Sequence, residues 1–453
     1  MLLERMESGG LAHYSYMVGS GTEAVVVDPR RDCEEYLSLA RKRGVRITAV
    51  LETHRNEDYV IGSRELSARA GCPIWHADRQ LDYGYGEPAE DGQSWKTGPL
   101  RIEAMLTPGH TPGSMSYLLY DPQSNPWICF TGDALFAGDV GRTDLLGMNR
   151  AREMAGMLYD SIYGKILSLG DGVILCPAHG SGSVCGSEIS QRLWTTVGLE
   201  RKHNPKLRHE DREAFVEDVA VELERPPYFT LMEKLNSQGP PVLGAPPEPV
   251  AMSASDFKEI AERATVLDTR TELAFSSAHL PGAQFIQTER VPAFAGWFVP
   301  HDRPIVLVTD DDPAEVVRLL FRMGYDDIPG FLAGGMLSWH TSGQDSASIP
   351  TMTVQDLCGR LDAGEELLIL DVRSGAELEA TGRIPGSQHV HLTTLPRRLD
   401  EIPRDSSLVI FCGSGLRSMI AASYLAGNGY HDIHVVLGGL SGWSSISCPL
   451  SNG

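Results

Sequence analysis

The segment "ETHRNEDYVIGS" (52–63) lies where a β-rich stretch ends, and it carries a histidine and several carboxylates. The apolar runs "TEAVVVDP" (22–29) and "RITAVLET" (46–53) precede or overlap it. Between them lies "CEEYLSLARKRG" (33–44), in which apolar residues recur at helical spacing. Alternating strands and helices are typical of an α/β layer fold. We therefore predict an α/β fold in which the loops after strands carry the functional side chains.

The length and composition predict a globular protein of several domains. The chain has 453 residues, of which 42% are hydrophobic and 22% charged. A chain of this length is too long to fold around one hydrophobic core. No apolar run approaches the ~20 residues that a membrane helix needs. The first residues contain no basic segment leading into a long apolar stretch, so we expect no secretion signal and a cytoplasmic protein without a membrane partner.

The net charge of -21 disfavours nucleic acid as a partner, because binding to phosphates needs a basic surface. Eight cysteines are dispersed without the spacing of a zinc ribbon or a disulfide framework. We therefore expect a reducing compartment and a few reactive thiols rather than disulfides.

Two further motifs accompany the opening segment: "TPGHTPGS" around His110 and "FTGDALF" around Asp133. Together the three resemble the metallo-β-lactamase fold, an αββα sandwich whose first motif is usually THxHxDH. Thr53, His54 and Asp58 fit that motif, whereas Asn56 and Tyr59 occupy the second and third histidine positions. Two-zinc hydrolases of this fold, such as glyoxalase II thioesterases, depend on those histidines. We therefore expect that this chain does not form their metal pair.

The resemblance implies that His54, His110 and Asp133 are the metal ligands. Two histidines and one carboxylate leave coordination positions open and suit non-haem Fe(II). Within the superfamily this set resembles the persulfide dioxygenases, which use one iron to oxidise the outer sulfur of a thiol persulfide to sulfite. Zinc is a less favoured alternative, because catalytic zinc also takes three protein ligands and water.

Other polar residues near these motifs have two interpretations each. We expect Asp58 and His179 to support the ligands rather than bind a second metal. Arg142 and Asp144, in "GDVGRTDLLG" (138–147), match a segment beside the substrate in persulfide dioxygenases, so they either bind an anionic persulfide or form a structural ion pair. Cys185 either contacts the persulfide or is an ordinary buried cysteine.

The second half of the chain repeats itself after a linker, "NSQGPPVLGAPPEPV" (236–250). "VLDTRTELAFSSAHLPGAQFI" (266–286) is echoed by "ILDVRSGAELEATGRIPGSQHV" (369–390), with Asp268 and Asp371 offset by 371 - 268 = 103. Such periodicity indicates two copies of one domain. We predict domains at 1–240, 250–346 and 350–453.

The second copy contains the loop "CGSGLRS" (412–418) between a β-like run and a helix. Successive backbone N–H groups at such a helix start form an anion cradle, which favours a thiolate and makes Cys412 nucleophilic. The loop resembles the active-site loop of rhodanese sulfurtransferases, as do the surrounding segments. The resemblance implies that Cys412 carries a persulfide and that Arg417 holds the loop or an incoming anion. The residues expected to cradle the sulfur are Gly413, Ser414, Gly415, Leu416 and Ser418.

The first copy reads "PIVLVTDDDPAEVV" (304–317) at the same place and lacks the cysteine. The carboxylates of Asp310, Asp311 and Asp312 would repel an anionic sulfur donor. We therefore expect this copy to be catalytically silent and to position the active copy or to form an interface, which is compatible with a homo-oligomer.

Taken together, the motifs predict a metallo-β-lactamase-type domain followed by two rhodanese-like α/β domains. This order resembles persulfide dioxygenase–sulfurtransferase fusions. It implies that a glutathione or coenzyme A persulfide is oxidised by O2 to sulfite, which the rhodanese converts to thiosulfate. Two alternatives remain: a mononuclear zinc thioesterase, and a sulfur carrier without dioxygenase activity.

Overall fold

The computed structural model describes residues 1–209, 211–446 and 448–450. It contains two compact units, the first formed by Met1–Pro246 with Phe321–Gly324 and the second by the other described residues. Within the described residues, no helix is both long and apolar enough to cross a membrane.

The first unit alternates strands with helices, as its sequence predicts. Its strands are β1 (Leu2–Ser8), β2 (His13–Ser20), β3 (Glu23–Val27), β4 (Arg46–Leu51), β5 (Ile74–His76), β6 (Glu87–Pro88), β7 (Ser94–Thr97), β8 (Leu100–Leu106), β9 (Met115–Tyr120), β10 (Pro126–Gly132), β11 (Ile174–Pro177) and β12 (Thr195–Thr196). Its α-helices are α1 (Glu34–Arg43), α2 (Ser63–Ala70), α3 (Met148–Ser161), α4 (Val197–His203), α5 (Arg212–Val219) and α6 (Phe229–Gln238). Short helical turns lie at Ile162–Ile166, Leu167–Leu169 and Pro205–Leu207.

These strands form two six-stranded sheets, in the orders β1-β2-β3-β4-β5-β6 and β12-β11-β10-β9-β8-β7. The run in β3 shows why the sheets stack. Val25 and Val27 enter a core shared with the second sheet, whereas Ala24 and Val26 face the helices, so both faces of the strand are buried. On the outer face of the second sheet, Leu158 of α3 packs in a separate core cluster. The predicted αββα sandwich is confirmed.

From Val250 onward the chain forms parallel sheets. The strands are β13 (Val250–Met252), β14 (Thr265–Asp268), β15 (Gln284–Phe285), β16 (Ile305–Val308), β17 (Gly330–Leu332), β18 (Thr351–Met352), β19 (Leu368–Asp371), β20 (Gln388–His389), β21 (Leu408–Phe411) and β22 (Ile433–Val436). The α-helices are α7 (Ala254–Ala261), α8 (Glu272–Ser277), α9 (Val291–Phe298), α10 (Pro313–Arg322), α11 (Gly335–Thr341), α12 (Val354–Asp362), α13 (Gly375–Thr381), α14 (Leu416–Gly427) and α15 (Gly439–Ser445). Short helical turns lie at Thr288–Arg290, Leu392–Arg397 and Leu399–Glu401.

The two copies share one topology. Their sheets run β13-β17-β16-β14-β15 and β18-β22-β21-β19-β20, so equivalent strands occupy equivalent places. Asp268 pairs with Val308 and Asp371 pairs with Phe411, which keeps the register that the sequence repeat predicts. The predicted pair of rhodanese-like α/β domains is confirmed.

One cysteine pair differs from the expectation of free thiols. Cys358 in α12 and Cys448 form a disulfide with their Cα atoms 6.3 Å apart. Their separation of 90 residues concealed the pairing in the sequence, because only the folded copy brings the end of the chain back to α12. The six other cysteines, including Cys185 and Cys412, are free and buried.

Candidate metal centre and thiol site

The predicted metal ligands lie in loops beside three strands. His54 follows β4, His110 lies between β8 and β9, and Asp133 directly follows β10. Each residue is only 1% exposed. Gly132 ends β10 with a φ of 53°, and a Cβ there would lie 2.6 Å from Thr53 Oγ1. A glycine at this position therefore lets the loop after β10 approach the loop after β4.

The ligand atoms converge at the spacing that one ion requires. Asp133 Oδ2 lies 3.6 Å from His54 Nε2 and 3.5 Å from His110 Nε2. Neither Nε2 atom has a hydrogen-bond partner among the described residues. Two ligand atoms each about 2.1 Å from a shared ion lie roughly 3 to 3.5 Å apart. The three side chains thus fit a metal ion.

A hydrogen-bond chain determines which nitrogen of His54 is free. Thr53 donates its hydroxyl proton to Asp28 Oδ2 at 2.7 Å, so the Thr53 oxygen is left to accept. His54 Nδ1 lies 2.8 Å from that oxygen and therefore carries the ring proton in the neutral form. The lone pair of Nε2 consequently points toward Asp133, as a metal ligand requires.

The orientation of His110 has a similar cause. Its Nδ1 lies 2.9 Å from the backbone carbonyl oxygen of Arg142, which can only accept. Nδ1 therefore donates, and Nε2 is the free nitrogen. Gly141 makes this contact possible, because a Cβ there would lie 1.9 Å from the Asp133 carbonyl oxygen and 3.1 Å from the His110 Cβ.

His179 contacts Asp133 beside the cluster. Its Nδ1 lies 2.8 and 3.0 Å from the two oxygens of Asp133, and its Nε2 lies 3.0 Å from Asp58 Oδ2. Burial lowers the pKa of His179, but the charges of Asp133 and Asp58 outweigh burial and raise that pKa well above its ordinary value. Burial likewise raises the pKa of Asp133, yet His179 and His54 hold it well below its ordinary range. These contacts place His179 and Asp58 beside the predicted ligands, and their supporting role stays a prediction.

The two substituted histidine positions face other partners. The Asn56 amide donates to the His54 carbonyl oxygen at 3.3 Å. The Tyr59 ring lies 3.9 Å, centroid to centroid, from the His13 ring. Neither side chain supplies the imidazole that a two-zinc hydrolase of this fold would need.

Glu57 also lies in the cluster, although none of the sequence motifs points to it. His54, Glu57 and His110 each contribute a possible ligand atom, and these atoms lie within 4.8 Å of one another. Glu57 Oε2 is 3.6 Å from His110 Nε2. The only sequence signal was the acidic pair that Glu57 forms with Asp58, in a position that the family motif leaves variable.

Cys185 also lies against the cluster. Its sulfur falls within 4.8 Å of possible ligand atoms of Asp58 and His179, and in a second group of those of His110 and Asp133. Burial, followed by the charges of Asp58 and Asp133, raises the pKa of the Cys185 thiol well above its ordinary value. The sequence allowed either contact with the persulfide or an ordinary buried cysteine. The structure shows that the thiol is buried and lies beside the predicted ligands.

Arg142 and Asp144 form an ion pair, which is one of the two arrangements that the sequence allows. Arg142 Nε donates to Asp144 Oδ1 at 2.7 Å and Nη2 donates to Oδ2 at 2.8 Å. Further guanidinium donors reach the carbonyl oxygens of Val184, Leu223 and Glu224. The Arg142 side chain is 1% exposed. Its protein contacts are therefore extensive, and the substrate-binding role of the pair stays a prediction.

The thiol loop lies between β21 and α14. Cys412 Sγ accepts a hydrogen bond from the Gly415 backbone at 3.1 Å. The carbonyl oxygens of Cys412 and Gly413 accept from the backbone N–H groups of Leu440 and Ser441 at the start of α15. These contacts turn the first carbonyls of the loop toward α15 and at least one amide toward the sulfur, as an anion cradle requires.

Within that loop, Ser414 is exposed, Gly413 and Leu416 are half-buried and Ser418 is buried. Arg417 pairs with Glu377 of α13 through two bonds of 2.7 and 2.6 Å. The Arg417 hydrogen bonds lower the pKa of Glu377 to about 2. This pair connects the loop to α13, and the two roles considered for Arg417, holding the loop or an incoming anion, stay predictions.

In the first copy Thr309 follows β16 where Cys412 follows β21. Asp311 accepts a hydrogen bond from Thr288 at 2.5 Å, and Asp312 accepts from the Ala314 backbone at 3.0 Å. The loop of this copy therefore has a threonine at the position of the thiol and three carboxylates directly after it, and its catalytic silence stays a prediction.

Family models and similar proteins agree with these features. Residues 8–179 match the metallo-beta-lactamase superfamily, and residues 253–342 and 353–446 match the rhodanese-like domain. The mitochondrial persulfide dioxygenase ETHE1 of Bos taurus is 32% identical over 218 residues, which cover 46% of this chain and 76% of that protein. The hydroxyacylglutathione hydrolase GloC of Haemophilus influenzae is 27% identical over 205 residues, covering 41% and 87%.

A solved structure extends the similarity beyond the first domain. A metallo-beta-lactamase from Staphylococcus aureus aligns with a TM-score of 0.66 and 26% identity, over 74% of this chain and 99% of that one. The chain therefore belongs to the metallo-β-lactamase superfamily, in which it joins a domain homologous to persulfide dioxygenase ETHE1 to two rhodanese-like domains.

Proposed function

We propose that this protein oxidises a low-molecular-weight thiol persulfide with O2, and that its second rhodanese domain converts the sulfite formed to thiosulfate. The observation that carries the proposal is the convergence of His54 Nε2, His110 Nε2 and Asp133 Oδ2 in one buried cluster. Two histidines and one carboxylate are the set that non-haem Fe(II) oxygenases use. Similarity to ETHE1, which is a persulfide dioxygenase, supports this choice of reaction.

The net oxidation balances as persulfide anion, O2 and water giving thiol, sulfite and one proton. The terminal sulfur gains three oxygens, two from O2 and one from water, and its bond to the inner sulfur breaks. Fe(II) would be held by His54, His110 and Asp133 and would supply the electrons that activate O2. Glutathione and coenzyme A persulfides are the substrate classes we propose.

The surrounding residues keep the three ligands in place before any substrate arrives. Thr53 and the Arg142 carbonyl oxygen are hydrogen-bonded to Nδ1 of the two rings, which directs Nε2 to the cluster, and His179 orients the Asp133 carboxylate. Burial excludes bulk water from the cluster. Such preorganisation avoids reorganising the site during the reaction.

The thiol step uses Cys412 in two transfers. The Cys412 thiolate attacks the outer sulfur of a persulfide and releases the thiolate of the donor, which leaves a persulfide on Cys412. Sulfite then attacks that outer sulfur, and thiosulfate leaves with the Cys412 thiolate restored. The Gly415 amide stabilises negative charge on sulfur, and the bond between Arg417 and Glu377 keeps the loop in position.

The test is O2 consumption by anaerobically purified, Fe(II)-loaded protein after addition of glutathione persulfide or coenzyme A persulfide. Sulfite and thiosulfate are quantified in the same samples, and a zinc-loaded sample serves as the control. We expect O2 uptake with sulfite in the iron sample, and thiosulfate when excess persulfide is present. Iron-loaded protein that consumes no O2 with either persulfide would overturn the proposal. Thioester hydrolysis by the zinc-loaded protein would then favour the hydrolase alternative.

A further inference from the structure

Glu57 carries a carboxylate into the metal cluster from a loop position that the family motif leaves variable. The residue is fully buried. Its Oε2 atom has no hydrogen-bond partner among the described residues and lies 3.6 Å from His110 Nε2. A buried carboxylate oxygen without a partner costs free energy, so its position needs a compensating cation.

The position of the His110 lone pair indicates that this cation is a metal ion rather than a proton. Because His110 Nδ1 donates a hydrogen bond to the Arg142 carbonyl oxygen, Nε2 of the neutral ring presents a lone pair to the carboxylate oxygens of Glu57 and Asp133, at 3.6 and 3.5 Å. Three acceptors facing one another repel. A proton on Nε2 would not form a normal hydrogen bond at these distances, which exceed the usual limit of about 3.2 Å. A metal ion binds several acceptors at once and resolves the repulsion.

Arg55 holds the second oxygen of Glu57. Its Nη2 lies 3.0 Å from Glu57 Oε1 and 3.0 Å from Glu233 Oε1. This contact leaves Oε2 as the oxygen directed to the cluster. The cationic guanidinium beside Oε1 favours the carboxylate form, which is the form that binds a metal.

We propose that Glu57 is a fourth protein ligand, so that the ion is held by two histidines and two carboxylates. The identity of the ion as iron rests on the proposed function, whereas the ligand role of Glu57 does not. A six-coordinate ion would then keep two positions for exogenous ligands instead of three. Two carboxylates also balance the charge of a divalent ion, which strengthens its binding in a buried site.

The test measures metal affinity without persulfide or O2. Apo-protein and its Glu57→Gln and Glu57→Asp variants are titrated anaerobically with Fe(II), and separately with Co(II), against a chromophoric chelator. Glu233→Gln is the matched control, because Glu233 shares Arg55 but has no atom within the cluster. We expect Glu57→Gln to weaken binding of both ions by at least about tenfold, and Glu233→Gln to change it by less than about threefold.

The visible absorption of the Co(II) forms supplies a second readout, because it depends on the number and geometry of ligands. We expect Glu57→Gln to change the ligand-field bands and Glu57→Asp, which keeps a carboxylate on a shorter side chain, to give weaker but measurable binding. Circular dichroism checks that each variant is folded. Wild-type affinity together with a wild-type Co(II) spectrum in folded Glu57→Gln would overturn the inference. Because no turnover is measured, a failure of the dioxygenase proposal would leave this result intact, and the reverse also holds.

Discussion

The metal cluster and the thiol loop hold their reactive atoms in different ways. At the metal cluster, hydrogen bonds of the ring nitrogens to Thr53 and the Arg142 carbonyl oxygen determine which imidazole lone pairs are free, and the His179 side chain orients Asp133. At the thiol loop, the backbone N–H groups of Gly415 and Leu440 make the hydrogen bonds to Cys412, and the Ser414 side chain is exposed. The two sites should therefore respond to different kinds of substitution. Side-chain chemistry should control metal binding, and backbone path should control sulfur transfer.

The largest expected effect is the loss of one activity while the other is spared. His110→Ala should abolish O2 uptake while sparing sulfur transfer, and Cys412→Ser should lower sulfur transfer by at least about a thousandfold while sparing O2 uptake. Thiocyanate formation from thiosulfate and cyanide measures the second activity without the metal site. Loss of both activities in either variant would contradict two independent sites.

A steric clash with the loop backbone should impair sulfur transfer even when Cys412 itself is unchanged. A Cβ on Gly439 would lie 2.3 Å from the Cys412 carbonyl oxygen, and the φ of 46° is itself unfavourable for other residues. Gly439→Ala should therefore lower sulfur transfer by about a hundredfold, since small misplacements of a nucleophile have effects of this size. The control is Gly427→Ala at the end of α14, where an added Cβ meets no atom within 4 Å. Equal activity of the two variants would refute the backbone account.

Removing one hydroxyl should weaken the metal site by a smaller factor. Thr53→Val removes the acceptor of His54 Nδ1, so the ring no longer has a fixed tautomer, and we expect metal affinity to fall about 10 to 100-fold. Thr97→Val is the control, because Thr97 is equally buried and donates to the Glu23 carbonyl oxygen instead. Chelator competition provides the measurement. Unchanged affinity in Thr53→Val would show that the hydroxyl does not orient His54.

The smallest effect concerns the ion pair that anchors the thiol loop. Glu377→Gln should destabilise the second unit by about 1 kcal/mol at neutral pH, because the bidentate bond to Arg417 is lost. Arg417 depresses the pKa of Glu377 from 4.5 to about 2. The stabilising contribution of the Glu377–Arg417 ion pair is therefore fully present above about pH 5 and is lost as the pH falls through about 2. Thermal unfolding of wild type, Glu377→Gln and the exposed control Glu379→Gln should show a difference that shrinks toward acid pH. A difference independent of pH would contradict the ion-pair explanation.

The sequence predicted the architecture because its signals are local and repeated. Strand and helix periodicity predicted an α/β fold, and the resemblance of the motifs to the metallo-β-lactamase family implied the sandwich. The offset between Asp268 and Asp371 predicted two copies of one domain. The structure also brings His54, His110 and Asp133 together, as the three motifs implied. Periodicity and the repeat are properties of the sequence itself, whereas the ligand set was implied by the resemblance of the three motifs to a known family.

The parts that could not be predicted depend on the paths of loops. Whether Glu57 faces the cluster or solvent depends on the backbone between Asn56 and Asp58, for which no periodicity exists. The proximity of Cys185 and the engagement of Arg142 depend in the same way on irregular segments that pack together only in the folded chain. Long-range contacts of this kind leave no pattern in a single sequence.

The bond between Cys358 and Cys448 gives the second rhodanese copy a different covalent topology from the first. It closes a ring that contains Cys412 and the strands from β19 to β22, whereas the first copy contains no cysteine. A protease that cuts once inside this ring releases no fragment, since both pieces stay joined through sulfur. On a denaturing gel the nicked chain would migrate near full length until a reductant is added, and only then would two bands separate.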